Sequence, residues 1–159
     1  MSSTTKVTQQ ELLRWKLSDE GERLWSSDTV IDAYLKGKKD GLDDHQKALQ
    51  SVFAKNFEKS GKSTAKLFAF LSQQEITPIS AHLKIDSLFS FEVVVLLNEA
   101  DFLGEKMPGV YNWCITLQKE EEEESFRICF SFIDVMDGFD FEQLRSDGFR
   151  AKFQVPSTV

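Results

Sequence analysis

Residues 67–85 read LFAFLSQQEITPISAHLKI, and the spacing of apolar residues changes in the middle of that stretch. Leu67, Phe68, Phe70 and Leu71 recur at three- and four-residue intervals, which is one face of an α-helix. After Pro78, Ala81, Leu83 and Ile85 alternate with His82, Lys84 and Asp86. That is the pattern of a strand buried on one face. Proline disfavours helical backbone in the residue before it, so the helix must end ahead of Pro78. The chain therefore divides into a helical part before this point and a sheet part after it.

Toward the N-terminus, Ser63 or Thr64 reads as the cap of the helix carrying Leu67 to Leu71, with Ser60-Gly61 as the stop of the helix before it. That earlier helix carries Leu42, Leu49, Val52, Phe53 and Phe57 on one stripe. Asp28 caps a helix with Val30, Ile31, Tyr34 and Leu35, and Gln10 to Leu17 carries Leu12, Leu13, Trp15 and Leu17 as a short amphipathic helix.

Toward the C-terminus, Phe89 to Leu97 begins by alternating and ends continuously apolar, as a central strand does. Phe126 to Val135 places Phe126, Ile128, Phe130 and Phe132 on one face, and Gly148 to Gln154 places Phe149, Ala151 and Phe153 on one face. Between them, residues 107–122 fit two patterns. Val110, Trp113, Cys114 and Leu117 fit a helix, whereas Tyr111, Trp113, Ile115 and Leu117 fit a strand. The helix is preferred, because it can act as a crossover between two apolar strands. Helices first and strands afterwards define an α+β fold. The expectation is a single domain over 1–159, with a helical half at about 10–75 packed on one face of a mostly antiparallel sheet of about four strands at about 79–155.

Composition narrows the function classes. The chain has 159 residues and 41% hydrophobic content, including 14 Phe, so it can bury a core. Its net charge of -7 is uneven: residues 1–75 hold 12 Lys+Arg and 11 Asp+Glu, whereas residues 76–159 hold 7 and 15. An acidic chain is a poor general partner for nucleic acid. Two cysteines, no apolar leader and no long apolar run point to a reduced, cytoplasmic protein with no membrane span.

Gly61-Lys62-Ser63-Thr64 is similar to the end of a phosphate-binding loop, but Asn56 stands where the first glycine is needed, within a helix. A helix stop and cap account for the four residues better. Lys55, Lys59, Lys62 and Lys66 fall at helical spacing if the helix continues through Gly61, forming a basic stripe for an acidic partner, a phosphate backbone or a second copy's acidic half. Arg127 and Arg150 lie between phenylalanines on strands and join them as candidate binding residues. Asp134, Asp137, Asp140, Glu142 and Asp147 cluster after the third strand, and Asp134, Asp137 and Asp140 are the candidate metal ligands, because carboxylates at strand ends hold Mg²⁺ in many enzymes; a phosphoryl- or nucleotidyl-transfer reaction would use Asp134, Asp137 or Asp86. Asp137-Gly138 and Asp147-Gly148 are equally good turn dipeptides. A nucleophilic pair of Cys114 or Cys129 with His82 is chemically conceivable, but a thiol in a Phe-rich strand is ordinarily packing.

No catalytic residue and no cofactor is assigned. The expectation is a non-catalytic interaction or ligand-binding protein, partnered by itself through a sheet edge or a phenylalanine surface, or by another protein. Metal-assisted phosphoryl transfer through the aspartates and nucleic-acid binding through the lysine stripe are the alternatives.

Overall fold

The computed structural model describes residues 15–17, 44–136 and 139–154. In chain order its elements are β1 (Trp15–Leu17), α1 (Asp44–Gln73), β2 (Ser80–Ile85), β3 (Ser90–Leu97), α2 (Glu99–Phe102), α3 (Met107–Glu121), β4 (Arg127–Asp134), α4 (Phe141–Ser146) and β5 (Phe149–Phe153). The α+β architecture is the one the change of period implies. The helix expected after Asp28 lies outside the described residues.

α1 is one helix, not two. Its buried stripe runs through Phe53, Asn56, Phe57, Ser60, Ser63, Thr64, Leu67 and Leu71 without interruption. The middle of the stripe is small and polar, which looks like a break in sequence. Here those hydroxyls are satisfied locally. Ser60 Oγ donates to the Phe57 carbonyl at 2.6 Å, and Thr64 Oγ1 donates to the Ser60 carbonyl at 2.9 Å. A mid-helix glycine costs about 1 kcal/mol against alanine, too little to divide a helix with tertiary support on both sides.

The small side chains also make room for Trp15. Its indole N–H donates to Ser60 Oγ at 3.2 Å, and its ring meets Phe153 edge-on at 5.4 Å. Residues 15–17, read from sequence as the end of a helix, form instead a strand antiparallel to β5, with Trp15 opposite Phe153. A fully buried tryptophan between a helix and a strand outweighs the weak helical spacing around it.

The sheet has five strands in the order β1-β5-β2-β3-β4. It is mixed, where a mostly antiparallel sheet of about four strands is expected from sequence. β1–β5, β5–β2 and β2–β3 are antiparallel, and β3–β4 is parallel. The parallel pair follows from α3, the helical alternative for residues 107–122, which carries the chain from the end of β3 back to the start of β4.

α1 and α3 cover one face. Phe53 stacks on Phe91 at 6.1 Å, Phe70 stacks on Trp113 at 4.5 Å, and Met107, Val110, Cys114 and Leu117 bury the inner side of α3. α4 covers part of the other face, where Val94, Leu96 and Leu144 form a second, smaller core. Phe149 belongs to this second core, not to the face of Ala151 and Phe153. The β2–β5 register slips between Leu83 and Lys84, and one extra residue turns Phe149 over.

Candidate functional site

The continuous α1 does align Lys55, Lys59, Lys62 and Lys66, but the stripe faces this chain's own acidic run. Lys59 Nζ donates to the Glu121 carbonyl at 3.1 Å and to Glu123 Oε1 at 2.5 Å, and it lies 4.5 Å above the Phe126 ring. Lys66 reaches Glu121 Oε1 at 3.0 Å, and Ser63 Oγ donates to the same oxygen at 3.1 Å. Lys62 pairs with Glu58 at 3.1 Å along the helix. Burial opposes the charge on Glu121, but the bonds from Lys66 and Ser63 and the charges of Lys66 and Lys59 outweigh it and hold its pKa low. Glutamates at a helix C-terminus oppose the macrodipole, and these cations compensate them. Arg127 joins the same cluster through Glu122 at 3.3 Å.

Arg150 stands apart from Arg127, because β2 and β3 separate their strands. Gly61-Lys62-Ser63-Thr64 lies in the interior of α1, with no strand-to-helix loop around it. Of the aspartates, Asp140 accepts from the Glu142 and Gln143 amides as the N-cap of α4, and Asp134 ends β4 opposite Leu97. Asp137 lies outside the described residues. Among the described residues no three His, Cys, Asp or Glu side chains gather as a metal site.

His82 sits on the second face, with Nε2 2.9 Å from Ser80 Oγ and its ring 6.3 Å from Phe141. Burial, and then the charge of Lys152, lower its pKa from 6.5 to about 4, so it is a neutral, packed imidazole. Neither cysteine meets it: Cys114 is on the helix-covered side, its thiol pushed up to about 12 by burial and then by Cys129. Cys129 is exposed on β4.

The structure adds a feature that the sequence does not single out. β4 lies at the end of the strand order, and among the described residues no strand pairs with its outer side. The amides of Arg127 and Val135 donate inward to Phe89 and Leu97. In a parallel pair the alternate residues turn their amides and carbonyls the other way, so Ile128, Phe130 and Phe132 present theirs outward. The Phe130 amide is met there by Gln118 of α3, whose Oε1 accepts at 2.8 Å. One helical stripe of α3 runs along this edge: Tyr111, Ile115 and Gln118 fall at intervals of four and three. Tyr111 meets Phe132 edge-on at 5.5 Å. Tyr111 is 40% and Ile115 48% exposed. The result is a row of outward backbone groups beside an apolar ledge. The signal in sequence is a second apolar pair, at i and i+4, flanking the buried row of α3, and it is uninterpretable until β4 is known to be an edge.

No family model, curated protein or solved structure matches the chain. Among the described residues no helix is long and apolar enough to cross a membrane.

Proposed function

We propose that this protein is a non-catalytic interaction module whose working surface is the outer edge of β4 together with the Tyr111–Ile115 ledge of α3. The observation that carries this reading is the juxtaposition itself. An edge strand offers a ladder of hydrogen bonds to an extended partner, and apolar positions beside it give the added strand something to bury. Natural edges without a partner are blunted by charge, proline or bulges. Here β4 carries no proline or register shift and its charges, Arg127 and Asp134, stand at its two ends; along its middle the Phe130 amide is met by one neutral side chain, Gln118, which a strand can displace by supplying a carbonyl of its own.

The lysine stripe supports nucleic-acid binding less well, since three of its lysines already make ion pairs with Glu58, Glu121 and Glu123.

The test is amide exchange. Extended peptides selected by display against the whole chain should protect the Ile128 and Phe132 amides, and Ile115→Glu should abolish that protection while leaving the far-ultraviolet circular dichroism unchanged. The reading fails if those two amides exchange at unprotected rates with every peptide tried and at every protein concentration.

A further inference from the structure

We infer that the occupant of the β4 edge is a second copy of this chain, paired antiparallel across a two-fold axis that passes between Ser131 and Ile115 and their counterparts. This rests on the docking edge proposed above and adds the partner and the register.

Self-pairing at an edge has a geometric requirement. A two-fold axis normal to the sheet must relate each residue to one of the same parity, so that side chains keep their face and outward amides meet outward carbonyls. Helix α3 must obey the same axis, because it is fixed to β4. Two contacts locate it. Tyr111 lies against Phe132, and Gln118 lies against Phe130. The strand position midway between Phe130 and Phe132 is Ser131, and the helix position on the same stripe midway between Tyr111 and Gln118 is Ile115. One axis can therefore serve strand and helix together. With Ser131 opposite itself, Phe130 of each copy forms a hydrogen-bonded pair with Phe132 of the other. Ile115 then meets Ile115, covering the most exposed apolar residue of the ledge.

Charge favours the same arrangement. The first turn of α3 contains no acidic residue, its N-cap Lys106 makes no side-chain cap, and its C-terminal end runs into Glu120 to Glu124. The helix is thus positive at its start and negative at its end. Antiparallel docking of α3 on its copy brings Glu122 of one chain, seven residues on from Ile115 along the same stripe and half exposed beside Arg127, toward the N-terminal turn of the other, whereas a parallel arrangement would set like helix ends together. Ser131 opposite Ser131 is a small, neutral pair on the other face, with no side chain in the way of close approach.

Sedimentation velocity of the full chain across a concentration series, with the Ser131→Cys crosslink, tests this. The expected result is a reversible monomer–dimer equilibrium that Ile115→Glu weakens by at least about tenfold, the scale of removing one central apolar side chain from an interface. A residue opposite itself in a non-hydrogen-bonded pair has the separation a disulfide needs. The double variant Cys129→Ser, Ser131→Cys should therefore oxidise to a covalent dimer, whereas Cys129 in the native chain faces Ile133 of the second copy and should not. A dimer indifferent to Ile115→Glu that yields no Ser131→Cys crosslink overturns the surface and register. A strict monomer whose β4 amides are nonetheless protected by a displayed peptide overturns the second copy and leaves the docking edge standing. A strict monomer that protects those amides with nothing overturns both.

Discussion

The Tyr111 ring meets Phe132 edge-on, centroid to centroid at 5.5 Å, and this contact ties the outer flank of α3 to the edge strand of the sheet. Phe132 is buried beneath it, while Ile115, one turn further along the helix, is half exposed. The two positions should respond oppositely to substitution. Phe132→Ala is expected to cost about 3–4 kcal/mol, through the cavity it leaves and the packing it removes. Ile115→Glu is expected to change the stability of the dilute monomer by no more than about 0.5 kcal/mol. Urea unfolding of each variant, at a concentration where sedimentation reports monomer, checks both.

The clamp between α1 and the end of α3 is electrostatic and should behave so. Lys59→Met removes the bond to the Glu121 carbonyl and is expected to lower stability by about 1 kcal/mol. The native chain should lose stability as salt rises, and the variant should lose less. Glu121 and Glu123 both have lowered pKa values in the fold. Their contribution is therefore complete above the ordinary value of 4.5 and disappears as pH falls through the lower folded values. Thermal unfolding across pH and salt, native against Lys59→Met, is the measurement.

His82 acts on stability at milder acidity. In the folded chain it stays neutral down to about 4, whereas its unfolded value is 6.5. Between those values the unfolded chain binds a proton that the native chain refuses. Stability is thus fully present above 6.5 and falls as the pH is lowered toward 4, at up to about 1.4 kcal/mol per pH unit. His82→Gln can keep a bond to Ser80 but has no proton to gain, so its stability should be flat over the same window apart from the carboxylate contribution at the acid end. A native chain with no slope between pH 5 and 6.5 would contradict the buried, neutral imidazole.

Gly148 leads the chain from α4 into β5 at φ +108°, a backbone region that residues with a side chain rarely adopt. A Cβ there would also lie 3.2 Å from Lys84 Cε and 3.3 Å from its Cδ and Cγ, so that side chain would have to give by a few tenths of an ångström along its stem. The backbone conformation, not the contact, sets the cost, and Gly148→Ala is expected to destabilise by about 1–2 kcal/mol. Chemical denaturation should show this loss, and Lys84→Ala should not rescue it.

Particular residues show how far the sequence could be read. The alternation from Ala81 to Ile85 and the apolar row through Val93 to Leu97 mark strands because a half-buried or fully buried strand leaves that imprint whatever lies beside it. Gly61-Lys62-Ser63-Thr64 misleads for the opposite reason. Its small polar residues resemble a break between helices, and only the contact of Trp15 with Ser60 across 45 residues shows that they line a packed interior. The lysine stripe is visible as a stripe, but its partner is hidden, since Glu121 and Glu123 reach it only after α3 has crossed the sheet. Phe149 is legible as a buried residue and misassigned in face, because a single-residue slip in the β2–β5 register reverses every side chain beyond it.

By itself, then, the amino-acid order determined the strands β2 to β5, the helical character of α1 and most of the core, but neither the strand at Trp15–Leu17 nor the unity of α1, since what it did determine follows from local periodicity and from the free energy of removing apolar side chains from water. Only the tertiary structure decided that β4 is the outermost of the described strands, that Lys59, Lys62 and Lys66 are answered within the chain, and that Tyr111 and Ile115 lie beside outward backbone groups. Those are relations between segments distant in sequence, and strand order, register and charge pairing acquire definite values only when the segments meet.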